Sequence, residues 1–374
     1  MTTTQAGATT TRVTQANMRT CIQKVATGPE HSKDLSFEEA CAGMALILNN
    51  EADPVQAAVL LISLRMKRET EAENSGILQA ILNSREQVTS QADEIFDIAD
   101  PYNGQIRGLP VAPFIAPVLS ACGVPAYSHG VESVGPKFGI THKMVLAAAG
   151  IDVDRAGQQV ADQLADDNIG WGYLDQSQYC PGLYNLISLR KQMVKRTVIT
   201  TLEVLTRPIS GRNRTHLLTG YVHKAYPPVY AKLARFSGYD SAAIVRGVEG
   251  GVIPSLLHEA RYYRYTEDHN DDFVTLEPTQ LGIKAAKRMV PLQDGLKTLE
   301  GLDAAHLIMA TKNAANLGVS ALQNEPGPAR DSLMYSASIA LHHLKRFDTL
   351  LEASQFVSKT IASGDCYDKF KAHQ

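Results

Sequence analysis

Between residues 13 and 90 the apolar positions recur at helical spacing. Ser36-Phe37-Glu38-Glu39 has the form of a capping box and opens an apolar run to Leu48. Asp53-Pro54 starts the next helix with proline at its first position, and Val55, Val59, Leu60 and Leu64 then fall on one face. Thr70-Glu71-Ala72-Glu73 is a second capping box, starting a helix through Leu82. Short amphipathic helices with short connections predict a small helical bundle. From Glu94 the pattern changes. β-type runs at Ile95–Ile98, Val124–Tyr127, Thr197–Thr201 and Ala242–Arg246 alternate with helical patterns at 110–121, 141–150, 155–166 and 228–237. That alternation predicts an α/β domain with a mainly parallel sheet. Helical spacing returns at Arg330–Leu344, after Gly327-Pro328, and at Thr349–Ala362. The expected organisation is a disordered tail over 1–14, a helical domain over 15–90 with a contribution from about 150–190, and an α/β domain over 91–374.

A chain of 374 residues, 44% apolar and 20% charged, has the length and composition of an ordinary globular protein with a full core. No apolar run approaches the length of a membrane span, so no membrane partner is expected. The cysteines Cys21, Cys41, Cys122, Cys180 and Cys366 are scattered singly, without paired zinc spacing. This suits reduced thiols in a cytoplasmic compartment. The Thr-rich start lacks a signal-type apolar core and carries no acid before Glu30. It reads as a disordered tail, the alternative being an organellar transit peptide.

Charge is unevenly spread. The net charge is −3, yet residues 176–239 carry ten basic side chains and one acid, Glu203. The basic residues are Arg190, Lys191, Lys195, Arg196, Arg207, Arg212, Arg214, Lys224, Lys232 and Arg235. A local excess of +9 against −12 elsewhere points to an anionic partner, or else to a solvated basic helix face.

Candidate chemistry concentrates in residues 97–142, which run as turn, buried helix, short apolar strand and Gly/Lys/Thr loop. Two loops meeting at strand ends mark a site for a phosphorylated small molecule. The first loop carries Asp100, Pro101 and Tyr102 where such loops carry glycine, followed by Asn103 and Gly104. Tyr102 suits stacking on a base or aromatic ring, or covers the core as a turn residue. His129, before Gly130, is either a ring donor or acceptor over a ligand or a structural histidine. Lys137, between Pro136 and Gly139 and ahead of Thr141, is placed for an anion. Arg212 and Arg214 sit in a Gly-hinged basic loop able to close over a phosphorylated ligand or track a nucleic-acid backbone. His223 and Lys224, beside Tyr226, form another candidate loop. Arg190 and Arg196 are further cations for phosphate. Trp171 is expected to pack under the hinge.

Several short segments resemble the anthranilate phosphoribosyltransferase family. Leu35–Ala40, Asp53–Ala58 and Leu64–Thr70 resemble its N-terminal helical domain, and Gly327–Asp331, Ser336-Ala337 and Ile361–Gly364 its C-terminal helices. His129-Gly130 and Lys137-Phe138-Gly139 fall where the family has its Lys-His-Gly-Asn and Lys-x-Gly loops, and Arg190 falls where the family's Arg contacts the aromatic amine. The resemblance spans roughly residues 15–370. It implies a helical domain hinged to a larger α/β domain, dimerisation through the helical domain, phosphoribosyl diphosphate and magnesium in the α/β domain, and the amine at the hinge.

Three departures stand against the family pattern. Asp100-Pro101-Tyr102-Asn103-Gly104 replaces the Gly-Thr-Gly-Gly-Asp loop that cradles diphosphate; proline removes an amide donor and Asp100 adds a repelling charge. Gly251-Val252-Ile253 follows Arg246–Gly250 where an Asp-Glu pair should hold magnesium, so the usual metal ligands are not recognisable. Ser128 and Val131 replace the Lys and Asn of the His-Gly loop. Asp97, Asp100, Glu132 and Glu249 remain as candidate magnesium ligands or as ordinary capping and surface acids. These departures, with Tyr221–Tyr226, resemble a divergent branch with a Tyr-Asn-Gly loop, some of whose members bind nucleic acid. Two expectations follow: a phosphoribosyltransferase-like protein with an altered donor and metal site and little or no anthranilate activity, or a nucleic-acid-binding protein on the same fold.

Overall fold

A computed structural model describes residues 17–28, 30–266, 271–293 and 295–374; the expected tail over 1–14 lies outside them. Four helices form the N-terminal bundle: α1 (17–25), α2 (Phe37–Leu48), α3 (Pro54–Lys67) and α4 (Glu71–Ser84). Both capping boxes form, and Asp53 accepts from the Val55 amide at 2.8 Å. Glu73 goes beyond its cap. Fully buried, it also accepts from the Leu35 amide at 2.8 Å and the Lys67 ammonium at 2.7 Å, tying α2, α3 and α4 together.

The main sheet has seven strands: β1 (Glu94–Ala99), β2 (Ala126–Gly130), β3 (Trp171–Asp175), β4 (Arg214–Gly220), β5 (Ser241–Val245), β6 (Ala260–Tyr265) and β7 (Asp272–Leu276). Their order is β3-β2-β1-β4-β5-β6-β7; the first five are parallel, β6 pairs antiparallel with β5, and β7 pairs antiparallel with β6. Alternation divides the sheet. Phe96, Ile98, Ala126, Trp171 and Leu218 face one core with Phe114 and the C-terminal helices. Ile95, Ala99, Tyr127, Leu174 and Leu217 face the other, with the helical bundle. Strand order reverses between β1 and β4, so a crevice opens beyond their carboxyl ends.

Three sequence expectations change. Thr197–Thr201 is not a strand: Ile199–Leu202 is a helical turn in the connection between β3 and β4. Its β-branched residues favour extension, but tertiary context wins, since Val198 and Ile199 are buried in the bundle-side core. His129 and Gly130 belong to β2 rather than to a loop after it. Trp171 packs on the C-terminal helix, not under the hinge: its ring stacks on Phe370 and His373, and its Nε1–H donates to the Lys369 carbonyl at 3.0 Å. The same β3–β4 connection leans on the bundle. The Pro181–Tyr184 turn packs on α2 so closely that a Cβ at Gly182 would meet the Leu48 carbonyl at 2.6 Å, and Ile187–Met193 packs on α3.

Candidate functional site

Beyond β1 the chain turns at Asp100–Gly104, and the Gly104 amide donates to the Pro101 carbonyl at 3.0 Å. The turn lies directly on the loop at 139–140. Gly139 donates to the Asn103 carbonyl at 2.9 Å, and Gln105 and Ile140 exchange amide bonds at 3.0 and 2.9 Å. A Cβ on Gly104 would lie 2.6 Å from the Gly139 carbonyl, and one on Gly139 2.6 Å from Gln105, so glycine at both positions lets two backbones touch. The amides of Gly104 and Gln105 are therefore already spent on protein. Asp100 does not confront a ligand either. Its carboxylate accepts from the Val252 amide at 2.7 Å and sits 3.1 Å from His142 Nε2.

Lys137 meets this turn from the neighbouring loop. Its ammonium donates to the Gly104 carbonyl at 3.3 Å and to the Glu249 carboxylate at 3.1 Å. Burial lowers its pKa, with the adjacent Glu249 acting in the opposite sense. Glu249 in turn accepts from the amides of Arg107 at 2.7 Å and Ile106 at 3.2 Å. Its backbone is left-handed, with φ 55°.

Other candidates are structural. His129 is 1% exposed. Its Nδ1 bonds the Tyr102 hydroxyl, and its Nε2 lies 3.0 Å from Asp97 Oδ1. The Tyr102 hydroxyl also bonds Tyr179 at 2.6 Å, and Tyr179 reaches Thr206 at 3.2 Å. The hydroxyls of Tyr127 and Tyr239 each donate to Asp97 Oδ2 at 2.7 Å. Burial raises the pKa of Tyr102 well above its ordinary value. Tyr102 thus points inward and offers no stacking face, because its hydroxyl completes the network around His129. Gly130 is buried against the Tyr173 hydroxyl and the Tyr102 ring. Thr141 caps the helix His142–Ala148 and donates to the Glu132 carbonyl at 3.0 Å. Arg190 is buried in a two-pronged pair with Glu203, at 2.6 and 2.8 Å, so its charge is met within the protein.

The basic loop lies at the wrong end of the sheet. Arg214 opens β4 and Gly220 closes it, and a seven-residue strand spans roughly 20 Å. Arg212 pairs with Asp93, while Arg214 lines a separate cavity with His216 and Ser241. Elsewhere in the basic segment Lys232 pairs with Glu71 and Arg235 with Asp271, so with Arg212 three of its ten basic side chains are met by acids from outside it. Lys224 is exposed beside the cleft without lining it.

What remains is the crevice at the topological switch. It is walled by Pro101 and Asn103 after β1, Gly220–His223 from the end of β4, Arg196, Thr197, Thr200 and Thr201 of the hinge connection, and Arg65 of α3. Arg65 donates to the Tyr226 hydroxyl at 3.0 Å, and the Tyr226 ring lies 5.9 Å from His223 and 6.2 Å from Tyr230. Of the sequence candidates, the crevice gathers Asn103, Arg196 and His223 directly, Lys137 through Glu249, Gly104 through Lys137, and Gly139 through Asn103. Sequence reasoning missed Arg65, Thr200, Thr201 and Tyr230. Arg65 lay in a stretch legible only as helix, and the threonines in a supposed strand. Asp97, Asp100, Glu132 and Glu249 do not converge, Val252 and Ile253 are buried, and no cluster of three or more metal-ligating side chains occurs among the described residues.

Known proteins share this architecture. A family model described as the glycosyl transferase family, a/b domain, matches residues 108–367, and its helical bundle domain matches residues 19–85. An anthranilate phosphoribosyltransferase from Sphingopyxis alaskensis is 28% identical over 336 residues, covering 90% of this chain and 94% of its own. An uncharacterized protein from Aquifex aeolicus is 25% identical over 258 residues, covering 69% of this chain and 76% of its own. Among solved structures, anthranilate phosphoribosyltransferase from Thermus thermophilus superposes with a TM-score of 0.73 at 20% identity, covering 96% of this chain and 98% of that one. The Saccharomyces cerevisiae enzyme in complex with PRPP and Mg gives a TM-score of 0.75 at 18% identity, covering 95% and 96%.

Proposed function

This chain belongs to the glycosyl transferase family whose helical and a/b domains it carries, and from that premise we propose that it is a phosphoribosyltransferase-like protein with a rebuilt donor site and little or no anthranilate activity. The cleft takes a phosphorylated pentose of the PRPP class. Transfer at the anomeric carbon to an aromatic or heterocyclic nitrogen develops an oxocarbenium-like centre and a departing diphosphate, so positioning and cations carry the catalysis. Here those cations are Arg65, Arg196 and Lys137, with His223 at the rim. One observation carries the reading: the Asp100–Gly104 turn is sealed against Gly139, with the amides of Gly104 and Gln105 consumed. The donor set does not fit magnesium, since buried Val252 and Ile253 stand at the expected ligand positions and Asp100 is held by Val252 and His142. No step is routed through a metal.

Isothermal titration with PRPP, with and without magnesium, tests this. Binding unchanged by the metal is expected, alongside negligible consumption of anthranilate in a fluorescence assay. Magnesium-dependent turnover of anthranilate would sink the rebuilt-site reading, and absence of PRPP binding would sink the donor class. The nucleic-acid reading is weakened because Arg190, Arg212, Lys232 and Arg235 are paired with acids. We assign the protein to the cytoplasm on its unpaired thiols; among the described residues no helix is long and apolar enough to cross a membrane. Val55 and Met66, exposed at opposite ends of α3, mark the surface through which two copies pair, with light scattering as the check.

A further inference from the structure

We propose that the amides of Ile106 and Arg107, with the Lys137 ammonium, form a phosphate-binding site that the chain's own Glu249 fills until a phosphate displaces it. The inference rests on the reading that the cleft admits a phosphorylated ligand, and it names where one phosphate sits. Consecutive backbone N–H groups aimed at one point make an anion nest. Here Glu249 Oε1 takes the Arg107 amide at 2.7 Å and the Ile106 amide at 3.2 Å, while Oε2 takes Lys137 at 3.1 Å. This is the donor set of a bound anion, two amides and a cation, satisfied from within.

Three features point to an exchangeable occupant rather than a fixed strut. Glu249 lines the cleft beside Asn103 and Arg196, so its carboxylate can leave by side-chain rotation into open space. Its backbone is held independently, the Gly250 and Gly251 amides donating to the Gly247 and Val248 carbonyls, so the loop keeps its course when the side chain moves. Further cations are near: Arg107 and Arg196 both act on Lys137, lowering its pKa. With the carboxylate gone, the Lys137 ammonium and the two amides lose their shared acceptor. A phosphate offers more acceptor oxygens and more charge than the carboxylate it replaces. Glu249 then acts as an internal competitor that weakens apparent affinity by the fraction of time it occupies the nest.

The test is isothermal titration of inorganic phosphate at constant ionic strength into the wild type, Glu249→Ala, and Glu249→Ala combined with Lys137→Ala. Glu249→Ala should bind phosphate at least about tenfold more tightly than wild type, and the double variant should lose that gain. Binding by Glu249→Ala no tighter than wild type, with its unfolding midpoint preserved, overturns the proposal. Should Glu249→Ala not fold, amide resonances of the wild type decide: Ile106 and Arg107 should shift on titration with phosphate, and their failure to move at saturating phosphate overturns it. Loss of the functional reading looks different. In that case the wild type ignores PRPP while Glu249→Ala still takes up phosphate. PRPP binding equally to wild type and Glu249→Ala leaves the functional reading standing and removes the nest.

Discussion

The two faces of the central sheet are built from alternate residues of the same strands, yet they solve different problems. Toward the C-terminal helices, Phe96 and Ile98 of β1 share a mainly apolar core with Phe114, Leu333 and Ile339, interrupted beside Phe96 by the buried chain His216–Ser241–His343. Toward the helical bundle, their neighbour Asp97 collects two tyrosine hydroxyls and stands beside His129, which reaches Tyr102 and through it Tyr179. The apolar face is held by shape and area. The polar face is held by partners that must all be present at once, and it links β1 and β2 to the connection that leans on the bundle. The lesson is that polar candidates in a sequence divide between those left facing a cleft and those consumed in holding the fold together, and most of the conspicuous ones here are of the second kind.

The comparison can be broken most sharply at Arg190 and Glu203. Glu203→Ala leaves a buried guanidinium unpaired and should cost about 3–5 kcal/mol, measured by urea unfolding. If the loss is under about 1 kcal/mol, the pair is not the buried structural unit described. Acid probes the apolar face next, because it conceals His343. Burial pushes His343 down to about 3 from an ordinary 6.5. Below 6.5 the unfolded chain takes up a proton that the folded chain refuses, so this contribution is complete above about 6.5 and drains away as pH falls toward 3. By pH 5 the loss from this group should be on the order of 2 kcal/mol, and His343→Gln should flatten the acid limb of a stability–pH curve. A smaller effect is expected on the polar face. Tyr127→Phe removes one donor to Asp97 and should cost about 1–2 kcal/mol in the same unfolding assay. Smallest is Asp93→Ala, which removes an exposed partner of Arg212 and should change stability by less than about 1 kcal/mol, the difference vanishing in high salt.

Legibility followed the same division. Capping boxes at Ser36 and Thr70 and the proline after Asp53 are local signals with local causes, and they placed α2, α3 and α4 closely. The strands β1 and β5 were readable from β-type runs, whereas β3, with Trp171-Gly172-Tyr173, carried no such run; β6 and β7 were not predicted, although β7 holds Phe273-Val274-Thr275. At the crevice, Asn103 and Arg196 stand where residue type and loop chemistry pointed, and Lys137 reaches it only through Glu249. Arg190 and Tyr102 suggested ligand contact because a sequence does not show which partner a charge or hydroxyl will find. Glu203, the lone acid in its basic segment, was the available hint for Arg190, and only folding shows that the two meet.

The single indole of the chain gives the far end of the molecule a voice of its own. Because Trp171 lies between the strand it belongs to and the rings of Phe370 and His373, its emission reports whether the last helix is docked. A spectrum recorded during titration or ligand addition would therefore follow one named seam, with no dye and no engineered label.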